Sequence, residues 1–210
     1  RVKEALAFME KAGAKIVPLT IPSAKLSQAL YYVIVTSEVS SNLARYDGLR
    51  YGVAQSPVGP TFEKFTTANR SHGLGQEAQR RSILGTYTLS KGYAEKYYNR
   101  SHELMDVVAQ DFAAAFRNVD VIFGPTTPTV AFKLGEKFND PLTMYLSDIF
   151  TVPANIANLP AISIPIGFAH KLPVGGQFIG PRFGEGAIFQ AAAGYEAESG
   201  YMNLLAEGLA

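Results

Sequence analysis

Residues 161–196 read AISIPIGFAHKLPVGGQFIGPRFGEGAIFQAAAGYE, and this stretch decides the fold class. Ala161 to Phe168 reads as a strand and Leu172 to Gly180 as its hairpin partner. A helix over about 184–197 follows, running through Ile188, Ala191, Ala192 and Tyr195. Upstream, a helix starts near Asp140-Pro141 and runs to about Phe150, and a further helical turn covers Pro153 to Asn158. Val119 to Phe123 is a compact apolar strand. Gly124-Pro125-Thr126-Thr127-Pro128 ends it as an ordered turn, because proline in a central ladder removes a hydrogen bond. Residues 93–116 predict a long helix with Leu104, Val107, Val108, Phe112, Ala115 and Phe116 on one face, and residues 76–89 another. Between 52 and 75 the pattern loosens into a surface excursion with a short helix around 61–69. Asp47-Gly48 is a turn. Before it, a helix capped by Ser23 runs through Leu26, Leu30, Val33 and Ile34 to about Tyr46. Val2, Ala5, Leu6 and Met9 give a helix over 2–12, and Lys15 to Ile21 a short strand after it. That order reads as a crossover feeding a largely parallel sheet. Helices and strands mix throughout, so the expected fold class is α/β.

Composition narrows the chemistry. The chain has 210 residues, 47% of them hydrophobic and 18% charged, which suits one compact domain with a sizeable core, with two small domains as the alternative. There is no cysteine, so thiol nucleophiles, cysteine metal sites and disulfides are excluded together. His72, His102 and His170 are far apart and match no metal-ligand spacing. A formal charge of +1 argues against an extended nucleic-acid surface. No run of eighteen apolar residues occurs, so a membrane span is not expected. Absence of cysteine fits a cytoplasmic protein. The sequence opens inside a helix without Met or cap, which is read as a piece of something longer.

The residues left to carry chemistry are polar and few. Arg80 and Arg81 sit early in a helix after Ser71-His72-Gly73-Leu74-Gly75. A guanidinium fork suits a carboxylate, while the structural alternative is a solvated pair on an exposed face. Asp148 lies among Met144, Tyr145, Leu146, Ile149 and Phe150, where a buried carboxylate needs a cation or several donors. A structural salt bridge is its alternative. Arg81 and Asp148 together suit an amino-acid zwitterion, one end each. Tyr31 and Tyr32 are adjacent in a helix, so one at most points fully inward, and core packing is the plainer reading. Thr126 and Thr127 stand at a strand end, where turn hydrogen bonding competes with a site role. The glycines at 175, 176 and 180 match neither GxGxxG nor GxxxxGK, so nucleotide binding by this chain is not expected.

Five runs carry a resemblance. They are YYVIVTSEVSSNLARYDGLRYG at 31–52, GLGQEAQRRSILGTYTLSKGY at 73–93, DVIFGPTTPTVAFKLGE at 120–136, DPLTMYLSDIFTVPANIANLPAISIPIGF at 140–168 and LPVGGQFIGPRFGEGAIFQAAAGYE at 172–196. In this order they resemble the amidase signature family, and within it the glutaminase subunits of glutamyl-tRNA(Gln)/aspartyl-tRNA(Asn) amidotransferases. The resemblance implies the C-terminal portion of a single amidase signature domain over 1–210, with a mixed sheet flanked by helices. It implies a Ser–cis-Ser–Lys triad in an N-terminal half. No GGSSGG-like segment occurs here, so none of those catalytic roles is assigned to this chain. By motif position, Arg81 resembles the arginine that holds the α-carboxylate of glutamine, and Asp148 the aspartate that meets its α-ammonium. Tyr32 resembles a tyrosine lining the same pocket, with Tyr31 one residue away. The implied partners are glutamine, the N-terminal half, amidotransferase subunits B and C and, indirectly, tRNA, with ATP and Mg²⁺ at a partner subunit. Two departures stand out: His72, where the family has an acidic residue, and Gly176, where it has a bulkier one. A stand-alone amidase acting on another small amide and a non-catalytic interaction module are the alternatives.

Overall fold

The structure, a computed structural model, describes residues 1–54, 61–137 and 140–201. The elements in chain order are α1 (Val2–Lys11), α2 (Ser27–Leu43), α3 (Phe62–Gly73), α4 (Gln76–Thr88), α5 (Arg100–Ala115), β1 (Ile122–Pro125), α6 (Pro141–Tyr145), α7 (Val152–Ile156), β2 (Ala161–Ala169), β3 (Leu172–Ile179) and α8 (Glu185–Ser199). They fall into two compact units, one of residues 1–28 and 105 onward, the other Ala29–Leu104. Pro57, Gly59 and Pro60 of the expected surface excursion lie outside the described residues.

In the first unit three strands among the described residues form an antiparallel sheet ordered β1-β3-β2. The hairpin expected from 161–180 is present, with Ala169 paired to Leu172. His170 and Lys171 between them both have positive φ, 52° and 65°, the backbone that a two-residue turn needs to match strand twist. Alternate residues then separate two faces. Phe123, Phe178 and Ile162 stand side by side on one of them, since Phe178 is in register with both others. This face joins Ile164 and Ile166 to α1 (Ala5, Met9) and α8 (Ile188, Ala192, Tyr195) in one core. Burial of each large apolar side chain there contributes about 1.5–3 kcal/mol. Gly176 belongs to the same face: a Cβ on it would come within 2.6 Å of the Phe123 ring. The small residue at 176 is therefore what allows the Phe123 ring to lie there.

The strand expected at Lys15 to Ile21 is not formed, and with it goes the parallel sheet it was to feed. Residues 14–21 are irregular and pair with no strand among the described residues. A ladder needs a partner, and Pro18 removes one donor from the segment. β1 begins at Ile122, later than expected, and includes Pro125, which is tolerated because β1 is an edge strand. Ser23 does not cap a helix by its side chain. It sits in a 3₁₀ turn, Pro22–Leu26, and its backbone N–H donates to Asp111 Oδ2 at 3.1 Å.

The second unit is helical. α2 and α4 approach at Gly85, where a Cβ would fall 1.9 Å from the Thr36 carbonyl oxygen. Hydroxyl pairs Ser37–Thr88 (2.7 Å) and Ser40–Thr86 (3.0 Å) line the same approach. The short helix expected at 61–69 extends to Gly73, with Thr61 Oγ1 accepting from Lys64 N as its N-cap. The long helix expected over 93–116 is interrupted at its start: Glu95–Asn99 is a wider π-helical turn, and the α-helix proper begins at Arg100. Asp47 fixes the turn after α2. Its carboxylate accepts from Leu49 N (2.9 Å), Arg50 N (3.0 Å) and Arg50 Nε (2.9 Å). These bonds hold its pKa down at about 2.

Candidate substrate-binding residues

Arg81 lies in the second turn of α4, where helical spacing brings it over Glu77. Its Nε donates to Glu77 Oε1 at 2.9 Å, while the other carboxylate oxygen of Glu77 accepts from Arg80 at 2.6 Å. One carboxylate thus serves both arginines, but the two differ in setting. Arg80 is exposed, whereas Arg81 is partly withdrawn from water. Burial pulls the Arg81 pKa down. The hydrogen bond and charge of Glu77, followed by the Tyr31 hydroxyl, outweigh it, and the guanidinium is held charged above its ordinary value. The Tyr31 hydroxyl thus lies near enough to Arg81 to favour its charged form. Tyr32 packs edge-to-face on Tyr31, with ring centroids 5.3 Å apart. Three of the four expected residues, Arg81, Tyr31 and Tyr32, are close neighbours in the second unit.

Asp148 belongs to the first unit, at the end of a 3₁₀ turn, Leu146–Asp148, that follows α6. The expectation of a buried carboxylate in an apolar helix is corrected here. Asp148 is exposed, and so are Leu146, Ile149 and Phe150 around it, so its charge remains hydrated and needs no partner for stability. What the structure fixes is the backbone that carries it. The Asp148 carbonyl accepts from Thr151 N (3.0 Å) and Thr151 Oγ1 (3.1 Å). Gln28 Nε2 donates to the Tyr145 carbonyl (2.7 Å), Lys137 Nζ to Ser147 Oγ (2.9 Å) and Gln177 Nε2 to the Phe150 carbonyl (2.7 Å).

The sheet face opposite the core adds two features that the sequence reading missed. Gly124, Gln177 and Ser163 stand in register across the three strands. One step along, Thr126 Oγ1 and Ser163 Oγ meet at 2.8 Å over Gly175, where a Cβ would lie 2.9 Å and 3.1 Å from those oxygens. Thr126 thus bonds across the sheet, also through its backbone N–H to the Gly175 carbonyl (3.0 Å), while Thr127 Oγ1 donates within the turn to the Thr129 carbonyl (2.8 Å). The signal for Gln177 was present: a lone amide in the otherwise apolar and glycine run VGGQFIG has to find partners inside. A separate cleft of about 460 Å³, lined in part by Leu19, Thr20, Asp111 and Asn118, includes none of the four expected residues. Among the described residues no three metal-binding side chains converge, and no helix is long and apolar enough to cross a membrane.

Comparison with known proteins agrees with this architecture. The Amidase family model matches residues 1–189. The A subunit of glutamyl-tRNA(Gln) amidotransferase from Lacticaseibacillus casei is 44% identical over 202 residues, 96% of this chain and 42% of the relative. The A subunit of the Persephonella marina glutamyl-tRNA(Gln) amidotransferase is 50% identical over 191 residues, 91% of this chain and 39% of the relative. The crystal structure of the glutamyl-tRNA(Gln) amidotransferase A subunit from Thermotoga maritima superposes with a TM-score of 0.70 at 41% identity, over 95% of this chain and 38% of that one. An allophanate hydrolase from Kluyveromyces lactis shares the fold at a TM-score of 0.69, with 21% identity over 94% of this chain and 29% of its own. The chain spans about two fifths of the length of the curated relatives it matches.

Proposed function

The chain belongs to the amidase family, and from that premise we propose that it is the glutamine-recognising portion of a glutaminase subunit in a tRNA-dependent amidotransferase. The observation that carries this reading is the 44–50% identity to A subunits of glutamyl-tRNA(Gln) amidotransferases over more than nine-tenths of the sequence. Arg81 and Asp148 supply the chemistry that such a portion needs. A charged, partly buried guanidinium on a rigid helix suits the α-carboxylate of glutamine, and a hydrated carboxylate on a tethered turn suits its α-ammonium. Gripping both charged ends leaves the side-chain amide free to point at a nucleophile, which turns a bimolecular encounter into an oriented one.

The catalytic serine pair and lysine belong to an N-terminal half outside this sequence. There the serine attacks the amide carbon, ammonia leaves, and water releases glutamate from the acyl-enzyme. Ammonia then passes to a complex with subunits B and C, where a partner uses ATP and Mg²⁺ to activate the carboxylate of Glu-tRNA(Gln) or Asp-tRNA(Asn). The setting is cytoplasmic. A test is glutamate release from glutamine by this chain alone and after addition of the catalytic half. Activity only in the mixture is expected. Activity of this chain alone, or none in a demonstrated complex supplied with subunits B and C, would overturn the reading.

A further inference from the structure

The geometry points to Gln177 as a positioning residue for Asp148, acting through the backbone of the turn that carries it. This inference rests on the glutamine reading above and adds to it a residue that touches no substrate. Gln177 sits on the central strand β3 and is 5% exposed. Its side-chain amide nitrogen has two hydrogens and two acceptors, the Phe150 carbonyl at 2.7 Å and the Pro125 carbonyl at 3.3 Å. Phe150 lies two residues beyond Asp148 and just before Thr151, the N-cap of α7, so its carbonyl lies outside the hydrogen-bond ladder of that helix. A carbonyl in that position takes its partner from outside the helix, here the side-chain amide of Gln177.

The need for such a donor follows from the exposure of Asp148. Packing does not hold the carboxylate, so its direction is set by the main chain from Tyr145 to Thr151. Gln28 and Lys137 tether that segment ahead of Asp148, at Tyr145 and Ser147. Gln177 tethers it behind, to the middle of the sheet. The same amide holds Pro125, the last residue of β1, so the Asp148 turn and the start of the Thr126–Ser163 hydroxyl pair share one anchor. A site held this way loses precision when its supporting donor is removed, even with every contact residue intact.

Two substitutions separate a donor role from mere bulk. Gln177→Met keeps the volume and removes both donors. Gln177→Glu keeps the shape but sets a carboxylate against two carbonyl oxygens, which is worse. The first readout is hydrogen exchange of this chain: exchange should rise locally over 146–151 in Gln177→Met and further in Gln177→Glu. Unchanged exchange there, or an equal rise across the whole first unit, would overturn the positioning role. The second readout uses the chain reconstituted with its catalytic half, comparing glutamine with the monoamide of glutaric acid, which lacks the ammonium. The preference for glutamine should fall about tenfold in Gln177→Met through KM, and combination with Asp148→Asn should add little. Equal losses on both amides would mean a structural residue only and would overturn the proposal. If Asp148→Asn itself leaves the preference unchanged, the role of Asp148 fails. If Asp148→Asn abolishes the preference while Gln177→Met and Gln177→Glu retain it, the role of Gln177 fails instead.

Discussion

Arg81 and Arg80 are sequence neighbours with the same side chain, yet Glu77 and Tyr31 give them different prospects. Arg80 keeps its charge in water, where an ion pair with Glu77 is worth little. Arg81 is held by Glu77 on one side and the Tyr31 hydroxyl on another, partly withdrawn from solvent. Removing that hydroxyl in Tyr31→Phe should raise the KM for glutamine by about fivefold, the equivalent of one hydrogen bond of ~1 kcal/mol. Arg80→Ala should leave KM within about twofold, as expected of a surface ion pair. Steady-state kinetics on the reconstituted enzyme checks both, and an Arg80 effect as large as that of Tyr31 would refute the distinction. The sequence singled out both arginines and both tyrosines by residue type and motif. It put Tyr32 first with Tyr31 one residue away, whereas the Tyr31 hydroxyl is the one that favours the charged form of Arg81, because how each ring stands to the guanidinium depends on how α2 faces α4, a property of packing.

Packing of that kind is decided at single points along the elements. At Gly85 the α2 and α4 backbones come close enough that Gly85→Ala places a methyl group against the Thr36 carbonyl. Overpacking of this type costs on the order of 1–3 kcal/mol, and a lowered urea midpoint with unchanged m-value should report it. Asp47 gives a pH signature. Its folded pKa of about 2 lies below the ordinary 3.8, so the carboxylate stabilises the fold above pH 3.8 and that contribution is lost as pH falls toward 2. Asp140, also lowered, chiefly by its Thr143 hydrogen bonds, acts in the same direction. Asp47→Asn should therefore flatten the fall of Tm between about pH 4 and about pH 2; a slope as steep as the unsubstituted chain's would contradict this. The hairpin of β2 and β3 was legible because its pairing is local. The strand expected at Lys15 to Ile21 was not, because a strand exists only with a partner. Asp148 was misjudged for a related reason: apolar neighbours in sequence suggested burial, but Leu146, Ile149 and Phe150 are themselves exposed.

Across the molecule such apolar exposure is extensive. Ile83, Leu142 and Phe183 are 70%, 68% and 82% exposed, and Val17 and Leu19 stand out from the unpaired segment before α2. Soluble monomers rarely leave large contiguous apolar areas in water, and such surfaces mark binding faces. The isolated chain should bind a hydrophobic dye and self-associate, which light scattering across a concentration series would detect. A monomer at high concentration without dye binding would contradict this. The central claim is that this chain supplies both charged contacts to glutamine, and its most direct measurement is kcat/KM for glutamine in the reconstituted enzyme with Arg81→Lys and, separately, Asp148→Asn. Loss of one charge-assisted contact of about 1.5–3 kcal/mol predicts a fall of roughly tenfold to a hundredfold in each. Values unchanged in either variant, with binding of the catalytic half intact, would contradict the claim.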